Sequence, residues 1–207
     1  MGIIGLTGQT GSGKTTISKL FLQKGAFIID VDEIARQIVY PGSEVIKSIE
    51  NAFGKDVINE DGSLNRRKLA GIVFNNEKDL LLLNSITHPV LLDEVKNRIN
   101  SIRKQSGNSA FIVVDAAVLI EANMTSLCDY VIVPECCQEQ RIERIMERDG
   151  LDKEKAIERV HAQKDMSYFK PYANFIIDTD ENIENTVMQI EKIWDIICLA
   201  NNDWIIK

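Results

Sequence analysis

The sequence predicts an α/β fold on a mostly parallel sheet, and three observations carry that prediction. Short apolar runs alternate with stretches of helical periodicity. The apolar runs are nearly free of polar residues, as expected for strands covered on both faces. The first run feeds a glycine-rich loop, "GLTGQTGSGKTT" at residues 5–16, that opens a helical stretch.

Strands are predicted at 3–7, 26–30, 110–115, 130–133 and 175–178. After the glycine loop, Ile17, Leu20 and Phe21 form an i, i+3, i+4 stripe, and Gly25 stands where a helix C-terminal glycine belongs. Residues 32–109 break the alternation and read as several helices without a strand, an insertion between two sheet strands. Leu91, Val95, Ile99 and Ile102 mark one of those helices. A long final helix is marked by Ile183, Val187, Ile190, Trp194 and Ile197. The 207 residues are expected to form a single domain: a core of 1–31, 110–137 and 174–200, the insertion 32–109, and a helical segment 138–173. There is no internal repeat, and the tail "NNDWIIK" carries no readable function.

Composition narrows the class. Hydrophobic residues at 44% and charged residues at 27% are ordinary for a soluble globular protein. A net charge of −7 argues against a surface that coats nucleic acid, so an anionic ligand must be met by local cations. No apolar run has membrane-spanning length and no signal-peptide pattern is present, so a cytoplasmic protein without membrane or nucleic-acid partners is expected. Cys128, Cys136, Cys137 and Cys198 form no C-x-x-C pair, which makes a zinc site improbable. They read as buried or part-buried free thiols, although adjacent Cys136 and Cys137 leave a redox role open.

Residues 8–15 satisfy G-x-x-x-x-G-K-[ST] in full, between a predicted strand and a predicted helix. Glycines let the backbone wrap a phosphate without Cβ clashes, and the helix N-terminus adds its positive end. Gly11, Ser12, Gly13, Lys14, Thr15 and Thr16 are the candidate nucleotide-binding residues. Lys14 would reach the β- and γ-phosphates of a nucleoside triphosphate, and the Thr15 hydroxyl would ligate Mg²⁺. No guanine-reading Asn-Lys-x-Asp exists, which excludes a GTPase switch of the usual kind. Asp115 is followed by alanine, unlike the Asp-Glu strand end of remodelling ATPases.

The second strand ends in "IIDVDEIAR". Asp30 and Asp32 lie two apart and would share a face in extended backbone, near the ligand crevice of a doubly wound sheet. There a carboxylate accepts a proton or helps hold a metal; helix capping is the competing reading. Asn65-Arg66-Arg67-Lys68 is either a phosphate-facing patch or a solvated basic face. Arg141, Arg144 and Arg148 fall on one helical face opposite Ile142, Ile145 and Met146, facing phosphate or laced to Glu143 and Glu147.

The ordered set "GLTGQTGSGKTT", "IIDVDEIAR", "LNRRKL", "THP" and "VLIE" resembles the dephospho-coenzyme A kinase family, over nearly the whole chain. The resemblance implies a P-loop kinase with a five-stranded core sheet, a helical acceptor-binding insertion and a helical lid at 138–173. It implies ATP with Mg²⁺, and phosphorylation of the ribose 3′-hydroxyl of dephospho-coenzyme A. By matching position, Asp32 is the catalytic base, Asp30 beside it orients it or binds Mg²⁺ through water, and Asp30, Asp32, Arg36, Arg66 and His88 line the acceptor site. Arg144 and Arg148 belong to the lid over ATP, with Arg144 and Lys14 acting in catalysis. Without the resemblance, His88 before Pro89 reads as a helix start. Two departures stand out: Ala117 replaces a common proline, and "IIDTDEN" replaces an Asn-containing turn, leaving adenine contacts near Thr179 unassigned. A nucleoside or nucleotide kinase, or a non-catalytic ATP-binding regulator, are the alternatives.

Overall fold

The sheet is organised around its first strand, whose five residues are all buried. In the computed structural model, which describes residues 2–106 and 110–202, the strands are β1 (Gly2–Leu6), β2 (Phe27–Asp30), β3 (Phe111–Asp115), β4 (Tyr130–Glu135) and β5 (Phe175–Asp178). They form one sheet in the order β2-β3-β1-β4-β5. β1 pairs in parallel with β3 and β4, with Leu6 opposite both Asp115 and Ile132, and β4 pairs in parallel with β5. Strand order reverses at β1, where open α/β sheets bind ligands beyond the strand carboxyl ends. The predicted five-stranded parallel fold is the one that forms. Two covered faces hold only for the central strands. β2 and β5 lie at the margins, and Phe27 and Ile176 there are exposed.

The chain divides into two compact units, Met1–Ile29 with Asn100–Lys207, and Asp30–Ile99. In the first, α1 (Lys14–Gln23) and α9 (Ile183–Asn202) lay Ile17, Phe21, Ile190, Ile193 and Ile197 against Ile4, Leu6, Val113, Ile132 and Ile177. The Trp194 ring sits 4.7 Å from Phe111 and 5.9 Å from Phe21, centre to centre. Truncating fully buried Phe21 to alanine would cost about 3–5 kcal/mol. Gly25, with φ +88°, closes α1: its N–H donates to Leu22 O at 2.9 Å and that of Ala26 to Phe21 O at 3.1 Å, the paired bonds of a left-handed helix stop.

The helices α6 (Gln138–Asp149) and α7 (Lys153–His161) form a hairpin with its own small core of Ile142, Ile145, Ala156 and Val160. A short helix, α8 (Met166–Phe169), leads from it to β5.

The second unit holds α2 (Val31–Gln37), α3 (Glu44–Phe53), α4 (Arg66–Val73) and most of α5 (Glu77–Ser106). Val45, Ile49, Val57, Leu69 and Val73 are its buried centre. Between its helices lies an isolated antiparallel bridge joining Ile58 and Leu64. The end of the predicted insertion, 107–109, and the tail at 203–207 lie outside the described residues.

Candidate active site

The loop between β1 and α1 has its carbonyls tied by side-chain donors, one after another. Gly8 O accepts from Lys14 Nζ at 2.8 Å, and Gln9 O from Ser12 Oγ at 2.7 Å. Thr10 O accepts from Arg141 Nε at 3.0 Å, Gly11 O from Arg144 Nη1 at 3.3 Å, and Ser12 O from Thr179 Oγ1 at 2.9 Å. In a trans peptide the C=O and the next N–H point opposite ways, so fixing a carbonyl also fixes the direction of the amide that follows it. The Lys14 and Thr15 N–H groups at the start of α1 supply further donors, because a helix offers them no carbonyl of its own, whereas the Thr16 N–H donates to Gly13 O at 3.0 Å and the Ser12 N–H to Gln9 O at 3.4 Å. Such an arrangement of amides binds anions. Gly11, with φ +75°, is required at the apex: a Cβ there would lie 2.7 Å from the Arg141 carbonyl oxygen.

The three arginines of α6 all reach this loop. Besides the bonds above, Arg148 Nη2 lies 3.4 Å from Thr10 Oγ1. Arg141 is buried, Arg144 half-buried and Arg148 exposed. Arg144 is fixed by several acceptors: Thr179 O at 2.6 Å, Gln140 Oε1 at 2.9 Å, Thr179 Oγ1 at 3.3 Å and Cys136 Sγ at 3.3 Å. Arg148 is gripped in a fork by Asp149, at 2.8 and 2.9 Å, and Asp149 is also paired with Arg159 at 2.6 Å. The hydrogen bond from Arg148 holds the Asp149 carboxyl below its usual range. From the loop side, Gln9 Nε2 donates to Lys164 O, and the Thr10 N–H to Gln163 Oε1.

Thr179, Gln140, Asp149 and Gln163 were not among the residues expected from sequence. Thr179 was accessible to one general signal: it follows β5 directly, at a strand carboxyl end, where ligands gather. Its hydroxyl is spent on the loop and on Arg144.

The acceptor candidates lie on the second unit. Asp30 is the N-cap of α2, its Oδ1 accepting from the Glu33 N–H at 3.0 Å. Asp32 is exposed in the first turn of that helix and Arg36 in its last. The expectation that Asp30 and Asp32 share a face in extended backbone is corrected here, because helix begins at Val31 and the alternation stops. The four-residue spacing instead puts Asp32 and Arg36 on one side of α2. The helix is tied to α5, where Arg98 donates to Gln37 Oε1 and, at 3.1 Å, to Glu94.

Arg66 is the exposed first residue of α4, which Asn65 caps by accepting from the Lys68 N–H at 3.0 Å. His88 is half-buried and Pro89 follows it inside the 30-residue α5, so the helix-start reading of that pair is wrong. A proline there removes one helical hydrogen bond, the one that Ser85 O would accept.

No group of three or more metal-ligating side chains exists among the described residues, so there is no cage made of protein alone. Thr15, exposed in the first turn of α1, fits the usual mode of Mg²⁺, which takes one or two protein ligands and completes its shell with phosphate and water. All four cysteines are free thiols; Cys136 is buried, while Cys137 is exposed, against the expectation of cover. Burial pushes the Cys136 thiol up to about 11 and that of Cys128 to about 12. Among the described residues, no helix is long and apolar enough to cross a membrane.

A family model described as dephospho-CoA kinase matches residues 2–185. The dephospho-CoA kinase of Carboxydothermus hydrogenoformans is 41% identical over 188 residues, covering 91% of this chain and 90% of that protein. The solved dephospho-CoA kinase from Campylobacter jejuni superposes with a TM-score of 0.67 at 26% identity, over 96% of this chain and 98% of its own. A Thermus thermophilus structure shares the fold with a TM-score of 0.78 at 23% identity, over 92% of this chain and 94% of its own. With a strand–loop–helix phosphate cradle and a match of this extent, the chain belongs to the dephospho-CoA kinase family.

Proposed function

We propose that the chain transfers the γ-phosphoryl group of ATP to the ribose 3′-hydroxyl of dephospho-coenzyme A, giving coenzyme A and ADP in the last step of coenzyme A biosynthesis. The observation that carries this reading is the loop with five consecutive carbonyls, Gly8 to Ser12, each held by a side-chain donor, in a chain of this family.

In this reading the amides of Gly11, Gly13, Lys14 and Thr15 face the phosphates, while those of Ser12 and Thr16, which donate to Gln9 O at 3.4 Å and Gly13 O at 3.0 Å, hold the cradle's shape. Lys14 supplies a mobile point charge to the β- and γ-phosphates. Arg144 and Arg148 bring two more cations from the lid, and closure of the lid keeps water from taking the phosphoryl group. Mg²⁺, when bound at Thr15 with the phosphates, supplies further neutralisation of charge. Asp32 takes the proton of the 3′-hydroxyl. Asp30, committed to capping α2, fixes the start of the helix that carries Asp32. Arg36, Arg66 and His88 hold the acceptor, whose pyrophosphate suits planar guanidinium donors. Catalysis is then chiefly positioning and charge stabilisation. A cytoplasmic setting is part of this reading and rests on the family.

The test is ADP release with dephospho-coenzyme A against AMP, dAMP and free nucleosides, each with Mg²⁺ and ATP. Turnover stimulated by dephospho-coenzyme A alone is the expected result. Stimulation by a nucleotide or nucleoside instead would replace the proposed acceptor, and no stimulation by any would leave only nucleotide binding.

A further inference from the structure

We propose that Arg141 is a positioning residue for the phosphate loop, the side chain through which α6 sets that loop's shape for the nucleotide. This rests on reading the loop as the ATP cradle, but Arg141 itself is assigned no contact with ATP. Arg141 is 5% exposed, and its Nη2 is buried without a hydrogen-bond partner among the described residues. Burial lowers its pKa from the usual guanidinium range, with Cys136 and then Asp165 acting the other way, and no carboxylate among the described residues lies within ion-pairing range of it.

Such a group is a poor contributor to folding. A buried guanidinium with an unsatisfied donor and no counter-charge costs free energy, whereas methionine or glutamine fills similar space at lower cost. What the residue returns lies at the loop. Its Nε donates to Thr10 O at 3.0 Å, a charge-assisted bond. Its own backbone forms the surface on which the apex rests, since a Cβ on Gly11 would meet Arg141 O at 2.7 Å and Cα at 3.1 Å.

The bond to Thr10 O fixes the plane of the peptide joining Thr10 and Gly11. With that carbonyl held toward α6, the Gly11 N–H points away from the helix. Arg144 does the same for the next peptide, but divides its donors among Gly11, Cys136, Gln140 and Thr179. Arg148 reaches only the Thr10 side chain in the loop. Arg141 alone among the three spends its one satisfied side-chain donor on loop backbone.

The experiment compares Arg141→Met and Arg141→Gln with wild type in three measurements: melting temperature without nucleotide, calorimetric affinity for ADP, and KM for ATP. A residue that only stabilises the fold would lower the melting temperature when replaced. Here neither variant melts below wild type. Arg141→Met weakens ADP binding and raises KM for ATP about tenfold, while Arg141→Gln, whose amide still reaches Thr10 O, loses about threefold or less. A lower melting temperature in both variants, unchanged ADP affinity in Arg141→Met, or equal losses in the two would overturn the proposal. The ADP measurement needs no acceptor, so it stands apart from the identity of the phosphorylated substrate. A wild-type protein that fails to bind ADP would instead remove the reading of the cradle itself.

Discussion

Replacing Thr179 with valine removes one hydroxyl from a buried junction of three chain segments and leaves its shape intact. That hydroxyl donates to Ser12 O at 2.9 Å, with Glu135 O also near at 3.2 Å, and accepts from Arg144 Nη1 at 3.3 Å. Thr179 and Ser12 are 4% and 1% exposed, so water does not replace the lost donor. A buried acceptor left unsatisfied costs about 1–3 kcal/mol, and the bond lost by Arg144 adds about 0.5–1. Arg144 keeps its bond to the Thr179 carbonyl, which the substitution does not touch. The working figure is a loss of about 2–3 kcal/mol, which for a chain of this size lowers the melting temperature by about 4–12 °C. Thr179→Ser, which keeps the hydroxyl, should recover most of that. Melting curves measure the loss, and a cycle with Arg144→Ala isolates the coupling at about 0.5–1 kcal/mol. A valine variant that melts within about 1 °C of wild type would refute the reasoning, because the hydroxyl would then not be holding the loop.

Three further outcomes are expected. Asp32→Asn lowers turnover by about a hundredfold or more while KM for ATP stays near wild type; undiminished ADP release would remove Asp32 as the base. Lys14→Ala cripples both ATP use and turnover, and near-normal phosphoryl transfer in the same assay would contradict the loop assignment. Brief iodoacetamide treatment at neutral pH, followed by peptide mass spectrometry, labels exposed Cys137 ahead of Cys136 and Cys128. Those two are held as unreactive thiols by burial, at about 11 and 12. Faster labelling of either buried thiol would show that the region opens in solution.

What was legible in the sequence was local. The phosphate loop is contiguous, so glycine placement, the lysine and the following helix can be read from residues 8–15 alone. The Ile17–Phe21 stripe and Gly25 foretold α1 and its stop for the same reason. The outward ties of the loop were not legible, because Arg141 lies 131 residues from Thr10 and Thr179 lies 167 from Ser12. No periodicity links such pairs; only the fold does. Asp30 and Asp32 failed differently, since strand spacing was applied across a point where the backbone had already turned helical at Val31. Pro89 misled as a breaker because α5 carries it in mid-helix, where buried Leu91, Val95 and Ile99 hold the following turns in place.

The pattern of ties bears on how a nucleotide bound at the loop would act on α6. A phosphate bound to a loop amide would polarise that peptide, pushing electron density from nitrogen onto the carbonyl oxygen and making it a stronger acceptor. Thr10 O, held by Arg141, and Ser12 O, held by Thr179, share their peptides with the Gly11 and Gly13 amides, whereas the Gly11 O held by Arg144 shares its peptide with the Ser12 N–H, which donates to Gln9 O. Binding at the Gly11 and Gly13 amides would therefore strengthen the bonds to Arg141 and Thr179, and by linkage those bonds would raise affinity for the phosphate. The coupling also accounts for an otherwise wasteful choice of residue. An unpaired guanidinium at 5% exposure is costly in the unliganded protein, and its return comes when the peptide it grips is polarised from the other side.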